Sequence, residues 1–591
     1  MSSTSIVDEI RQNIQLLGEF GDEVQLKLIS DKNGIRVYEL AVAFEAAQTP
    51  KPITLKWKIP ALNVKGIWKS GSLYNKRIQY DWELDHIRAR ISVNAPVVNV
   101  FGHHDENIIT FACEDAINMV EMNALLREED NHIYCHISLF KEAHPEICSY
   151  RTKIWIDERN LLFSETLQAV SQWWETAYPP TAVPDLAKAP LYSTWYNFHQ
   201  NLDTNILLEE CKIAKTLGYE LIIIDDGWQT MDNNRGYDYT GDWNPDRIPD
   251  MADFVTKIHQ LGMKLALWYS VPFCGEKSAA YQRFKGKFLT ENHRWAPVFD
   301  PRYPEVRQYL IDKYINAVKD WDLDGFKLDF IDDFKVYPET DLTKANGRDY
   351  ANVNAAVDRL MTDVMQALRS VKPNIVIEFR QQYIGPAMRK FGNMFRAFDA
   401  PNDPVSNRIR ITDVKLLCGD SAPHSDMIEW HSEESVELAA VQVLNSFFGV
   451  PQMSVHLRSL PNEHRQMLAF YNHYWSEVSD VLLDGKFRAH NPISNYPILE
   501  AEKDGQVVAA IYENSILHID FDTFERVDIL NGRITDRIAI KNTGGSNIFE
   551  VNVFNCQGEL QYQHQIELQN GLFELVVPAA GLIRLNAIGR E

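Results

Sequence analysis

Alternation of apolar and polar positions opens the chain. Ile53, Leu55, Trp57 and Ile59 alternate with Thr54, Lys56 and Lys58, and Val24, Leu26 and Leu28 alternate with Gln25 and Lys27. Period two marks strands with one buried and one wet face. NIITFACE, HIYCHISLF and YRTKIWIDE read the same way. Many short strands without intervening helices predict a β-sandwich over residues 1–175. Four prolines in TAYPPTAVPDLAKAP then predict an irregular linker or lid over residues 176–190.

From residue 191 the period changes. TNILLEECKIAKTLG sets Leu207, Cys211 and Ala214 on one helical stripe, with Thr204 as the expected N-cap and Gly218 as the stop. The continuous apolar run Leu221–Ile224 follows, as in a strand buried on both faces. Helix-period and strand-like segments continue to alternate through KLALWYS, DGFKLDF, NIVIEFR, MFRAFD, ITDVKLLCG and VPQMSVHL. This alternation predicts a (β/α)8 TIM barrel over residues 191–485. Strand patterns return in QVVAAIYE, SILHIDF and LFELVVPAAGLIRLN, which predicts a small β domain over residues 486–591. The expected fold class is therefore multidomain α/β, a central barrel between an N-terminal β-sandwich and a C-terminal β domain.

Composition narrows the partners. Among 591 residues, 82 are acidic and 59 basic, a formal charge of −23. Such a field repels phosphate backbones and anionic lipid, so neither nucleic acid nor membrane is an expected partner. No run of 18 apolar residues and no signal peptide is visible. Seven widely spaced cysteines without a C-x-x-C pair suit a reducing, cytoplasmic setting. Phosphate loops, H-E-x-x-H and G-x-S-x-G are absent. Two His-rich spots mimic metal sites. His103, His104, Asp105 and Glu106 read as a solvated turn. His424, Asp426, Glu429 and His431, placed after the segment read as the seventh strand, read as site rim or loop. No metal and no cofactor are expected.

The carboxylates carry the chemistry, because barrel sites form at the C-terminal ends of strands. Asp225 and Asp226 end the LIII run, and Trp228 beside them offers a stacking face. One acid can accept bonds from sugar-like hydroxyls while the other braces a loop. Lys327 and Asp329 share a strand face, so Lys327 is expected to hold Asp329 ionised as a nucleophile. Asp399 follows MFRAF two strands later, with Asp403 as a rival in a turn-forming PNDP. Two carboxyls across a barrel mouth are what glycoside hydrolysis needs: about 5–5.5 Å apart for retention, about 6.5–9.5 Å for inversion.

IIIDDGWQ, GDWNPDRIPD, GMKLALWYS, VFDPRYPEVRQYL and DGFKLDF resemble the glycoside hydrolase family 36 α-galactosidases of the melibiase and raffinose-synthase clan. The resemblance implies a retaining glycosidase with Asp329 as nucleophile and Asp399, following Arg396, as acid/base. It also implies Asp225 and Asp226 on the C4 and C6 hydroxyls, with Trp228, and Trp268, Arg294 and Lys327 as further sugar contacts. Small α-galactosides are the implied substrates, and homo-oligomers occur in the family. Three segments depart: Tyr269–Pro272 stands where a glutamate–proline pair is usual, FDAPNDPVSNRIRI replaces a serine–aspartate pattern, and a third follows the fifth strand. Where the family has a glycine-rich cysteine–serine stretch, this chain has Phe379, Arg380, Gln381, Gln382 and Tyr383. Arg380 there either reads a different C2 substituent or an acidic aglycone, or pairs with Glu378. A different sugar such as an α-N-acetylgalactosaminide, transglycosylation, and a non-catalytic carbohydrate-binding protein are the alternatives.

Overall fold

The computed structural model describes residues 5–6, 14–71, 75–83, 86–233, 237–380 and 384–589. Gln381, Gln382 and Tyr383 lie outside the described residues. Eight parallel strands close a barrel in the middle of the chain. They are β1 (Leu191–Ser193), β2 (Leu221–Ile224), β3 (Lys264–Ser270), β4 (Gly325–Asp329), β5 (Val376–Arg380), β6 (Met394–Arg396), β7 (Ala422–Ile428) and β8 (Val450–Met453). Continuous apolar runs such as LIII are buried along their whole length, as strands enclosed by helices require. Two six-stranded antiparallel sheets precede the barrel, and a seven-stranded and a three-stranded sheet follow it. The architecture is the predicted multidomain α/β one.

The sandwich interior and the C-terminal sheets each have their own apolar core. The barrel core is larger and runs into both neighbours, taking in Trp68 and Trp155 on one side and Leu499 and Leu582 on the other. Among the described residues, no helix is long and apolar enough to cross a membrane.

Local readings differ at four places. FSETLQAVSQWW, within the span read as strands, is the helix α1 (Phe163–Trp174). Phe163, Leu167, Val170 and Trp174 recur at helical spacing and are buried along one stripe. The proline-rich stretch contains a short 3₁₀ turn, Asp185–Lys188. The cap of α2 (Thr204–Thr216) is Asp203, whose carboxylate accepts from Asn205 N and Ile206 N, so the sequence position expected for Thr204 is off by one. The barrel helices α3 (Met251–Gln260), α4 (Pro304–Trp321), α5 (Val353–Val371), α6 (Pro404–Lys415), α7 (Val436–Asn445) and α8 (Asn462–Asp484) follow in order.

The seventh strand also moves. ITDVK belongs to α6, and β7 is APHSDMI. This strand is buried throughout yet half polar, because its inward residues form bonds at the site. An apolar-run rule passes over such a strand.

Candidate active site

The C-terminal ends of β2 to β7 bring most of the expected residues together. Asp225, at the end of β2, accepts from Lys327 Nζ at 2.5 Å. Asp226 has different partners, accepting from Gln229 Nε2 at 2.7 Å and Gln200 Nε2 at 3.2 Å. The chain escapes from this pair through Gly227 at φ +117°, where a Cβ would meet Gln200 Cα at 2.8 Å. Lys327 thus pairs with Asp225, not with Asp329 as its strand face had suggested.

Asp329 is held by three other donors. Trp268 Nε1 donates to its Oδ2 at 2.9 Å, the Phe330 backbone N–H to its Oδ1 at 2.6 Å, and Arg380 Nε also to Oδ1. Phe330 adopts a left-handed backbone, φ +62°, which turns the chain sharply after the strand. The turn is pinned from the sandwich side: Arg90 donates to Asp332 O at 2.8 Å and Ser92 to Ile331 O at 3.3 Å. Arg380 does not take the expected Glu378 pairing. Its guanidinium binds Asp329, lies over the Phe330 ring at 4.6 Å and places Nη1 3.8 Å from Asp399 Oδ2.

Asp399 lies three residues beyond β6 and is the most accessible of these acids, its side chain 39% exposed. Arg396 Nη2 donates to it at 2.9 Å. Arg396 itself is fully buried and gripped by Asp426. Asp426 also accepts from Ala400 N at 2.5 Å and Tyr196 Oη at 2.8 Å. The rival Asp403 is the N-cap of α6, accepting from Ser406 N at 2.9 Å.

Trp268 is at the site, but Trp228 is not a stacking platform. Its ring is wholly buried between Trp243 and Trp321, and its Nε1 donates to Trp268 O at 2.9 Å. It supports the strand that presents Trp268. Arg294 is exposed and stacks on Trp295 at 4.9 Å, which meets Tyr237 edge-on. Tyr237 packs on Phe330, so Arg294 stands on the outer layer of the aromatic wall rather than beside the carboxylates' donors.

Neither His-rich spot gathers ligands, and no group of three metal-binding side chains occurs among the described residues. His424 lies inside β7, where its Nε2 meets Ala187 O at 2.7 Å and burial pushes its pKa down to about 4. It is a neutral core histidine. Asp105 accepts from Asn491 N at 2.6 Å and ties the sandwich to the C-terminal region.

Electrostatics separate the acids. Burial pushes Asp226 up to about 6, against the pull of Gln229 and Gln200. Burial also raises Glu378 and Asp426. Burial acts on Asp399 in the same sense, but the Arg396 and Arg380 guanidiniums, with Lys327, outweigh it and hold the carboxyl at about 2. Asp426, read from the sequence as site rim or loop, belongs to this network, while Tyr196, Gln200 and Gln229 went unremarked. Tyr196 and Gln200 follow β1, so the strand-end rule carried the only signal for them.

A strand-end cluster of acids, each with named donors, on a barrel between two β regions is the class of site on which glycosides are handled. More particularly, residues 183–381 match the Melibiase family model, which covers the barrel through β5. A bifunctional α-galactosidase/sucrose kinase of Mediterraneibacter gnavus is 24% identical over 202 residues, 32% of this chain and 20% of that protein. An A type blood α-D-galactosamine galactosaminidase of Flavonifractor plautii is 26% identical over 175 residues, 26% of this chain and 15% of its own length. These matches therefore span a fifth or less of the curated relatives' length. The crystal structure of an α-galactosidase from Lactobacillus brevis superposes with TM-score 0.67 at 14% identity, covering 100% of this chain and 83% of that one. The resemblance to the family 36 α-galactosidases thus holds in sequence over the barrel through β5 and in fold over the chain.

Proposed function

We propose that the chain is a retaining α-glycosidase that hydrolyses terminal α-galactosides of small oligosaccharides by double displacement. The supporting observation is the convergence of Asp329, Asp399 and Arg380, from β4, beyond β6 and β5, at one point of the barrel mouth. Asp329, fixed by Trp268 and the Phe330 N–H, attacks the anomeric carbon and displaces the aglycone. Asp399, oriented by Arg396, protonates the departing oxygen and then takes the proton from the attacking water. Lys327 with Asp225, and Asp226 with its two glutamines, present charged and polar groups to the sugar hydroxyls. The mechanism uses no metal or organic cofactor, and activity after chelation is expected to be unchanged. The seven unpaired cysteines support a cytoplasmic location, and a homo-oligomer is compatible with the family resemblance.

A second reading changes only the sugar. The Flavonifractor relative's name specifies a galactosamine glycan, and Arg380 alters the segment that meets the C2 side. A panel of aryl α-glycosides (galactoside, N-acetylgalactosaminide, glucoside), with the product anomer followed by NMR, decides. Preference for galactoside with an α product first is expected. Preference for another glycoside, an inverted product, or binding with no turnover on any member rejects the proposal.

A further inference from the structure

Arg380 ends β5 and reaches across the barrel mouth. Its Nε donates to Asp329 Oδ1, its Nη1 lies 3.8 Å from Asp399 Oδ2, and Phe330 supports its face at 4.6 Å. One planar cation therefore spans both carboxylates that a double displacement needs. Asp329 must reach the anomeric carbon and Asp399 the glycosidic oxygen. A glycoside seated between the two carboxylates would take the place the guanidinium now holds.

We propose that Arg380 is a displaceable clamp: entry of the glycoside turns it off both carboxylates, and Asp399 takes up one proton from solvent as the clamp leaves. The inference rests on the reading of Asp329 and Asp399 as nucleophile and acid/base. The proton count is simple, since the Asp399 carboxylate becomes the carboxylic acid and no other bond changes.

The charges facing Asp399 explain why the proton follows. From β6 it meets Arg396, from β5 Arg380, and from β4 Lys327 at longer range. Arg410 of α6 donates to its backbone carbonyl. Opposing them, Asp426 of β7 shares Arg396, Glu378 of β5 lies 3.7 Å from Arg396 Nε, and Tyr196 after β1 bonds Asp426. With Arg380 in place, Asp399 has two guanidiniums. Without it, one guanidinium is left to serve Asp399, Asp426 and Glu378. Lys327 is already bonded to Asp225. Carboxylates that share too few cations keep a proton. A clamp of this kind also keeps the empty site's acids charge-balanced, and supplies the acid form only when a substrate is present.

The test is Arg380→Gln, which keeps a polar side chain and removes the charge, beside Arg380→Lys, with folding of both checked by thermal melting. The pH profile of kcat/KM is read first. Removing a guanidinium from a carboxylate typically shifts it by ~1–3 units, so the alkaline limb is expected to move up by about one unit or more in Arg380→Gln and to stay near wild type in Arg380→Lys. Calorimetry of the free sugar released from the cleaved glycoside, in two buffers of different ionisation heat at about pH 4, is read second. At about pH 4, inside the interval that a rise of ~1–3 units from about 2 opens, proton uptake is expected for wild type and clearly less for Arg380→Gln. This second reading stands even if the glutamine variant has no turnover. A folded variant with an unmoved limb, or wild-type binding without proton uptake, overturns the clamp. Turnover by Asp329→Asn would instead overturn the underlying reading, whatever Arg380 does.

Discussion

The placement of Asp399 hangs on a fully buried residue, Asp426. Asp426 holds Arg396 Nη1 and, through its other oxygen, Ala400 N at 2.5 Å and Tyr196 Oη at 2.8 Å. Arg396 and Ala400 flank Asp399, so Asp426 fixes the loop on both sides. Asp426→Asn keeps the shape but removes the charge and one acceptor face. A buried guanidinium then loses a partner, which costs about 3–5 kcal/mol when such a pair is broken outright. The amide group, turned to either oxygen position, leaves at least one buried donor unpaired, a further cost of about 1–3 kcal/mol. The hydrogen bond from Arg396 to Asp399 at 2.9 Å and its ion-pair contact with Glu378 at 3.7 Å offset part of this, so about 3–4 kcal/mol is the expected loss. Kinetics separate positioning from stability. General acid catalysis is worth about 10²–10⁴-fold, and a displacement of about 1 Å costs on the order of 10²-fold. A glycoside with a poor leaving group, such as the methyl α-galactoside, depends on that acid. A dinitrophenyl glycoside does not. We expect about a hundredfold loss of kcat/KM on the former and less than about tenfold on the latter in folded Asp426→Asn. Equal losses on both substrates, or none on either, would refute the reasoning.

Three further outcomes follow from the same geometry. The folded-state pKa of Asp226, about 6, lies above the unfolded value near 4, so the folded chain binds the proton more tightly. Its contribution is present below about pH 4 and is lost as pH rises to about 6, a change on the order of 2–3 kcal/mol. Melting temperature against pH should therefore fall less across that window in Asp226→Asn, and an unchanged slope counts against the assignment. Replacing Lys327 by Met strands the buried Asp225 carboxylate and is expected to destabilise by about 3–5 kcal/mol, read by thermal melting. Trp228→Leu should lower the melting point with a smaller effect on KM than Trp268→Leu, since only the latter's indole touches Asp329.

Much of the fold was legible because burial on both faces forces apolar runs. LIII, KLALWYS and the segments ending at Asp329 and Arg380 announce strands without any long-range information. The acids at their ends were legible for a related reason. A charged residue directly after such a run sits at the barrel mouth, where polar groups find partners. β7 broke the rule because its sequence, APHSDMI, turns polar atoms inward to Arg396, Gln452 and Ala187. Pairings were less legible than positions. Strand parity put Lys327 and Asp329 on one face, and Glu378 and Arg380 on another. Which cation takes which acid depends on neighbouring strands: Lys327 turns to Asp225 across β3, and Arg380 to Asp329 on β4. Trp228 was misread as a platform because a tryptophan beside acids looks the same in sequence whether its ring faces a ligand or the Trp243–Trp321 layer behind the strand.

The most direct measurement is mass spectrometry of the chain after reaction with a fluorinated galactosyl donor that forms but does not readily release a covalent intermediate. The account predicts one added sugar on the peptide that carries Asp329, and no adduct in Asp329→Asn. An adduct on another residue, or full turnover with no covalent species and an inverted product, would contradict it.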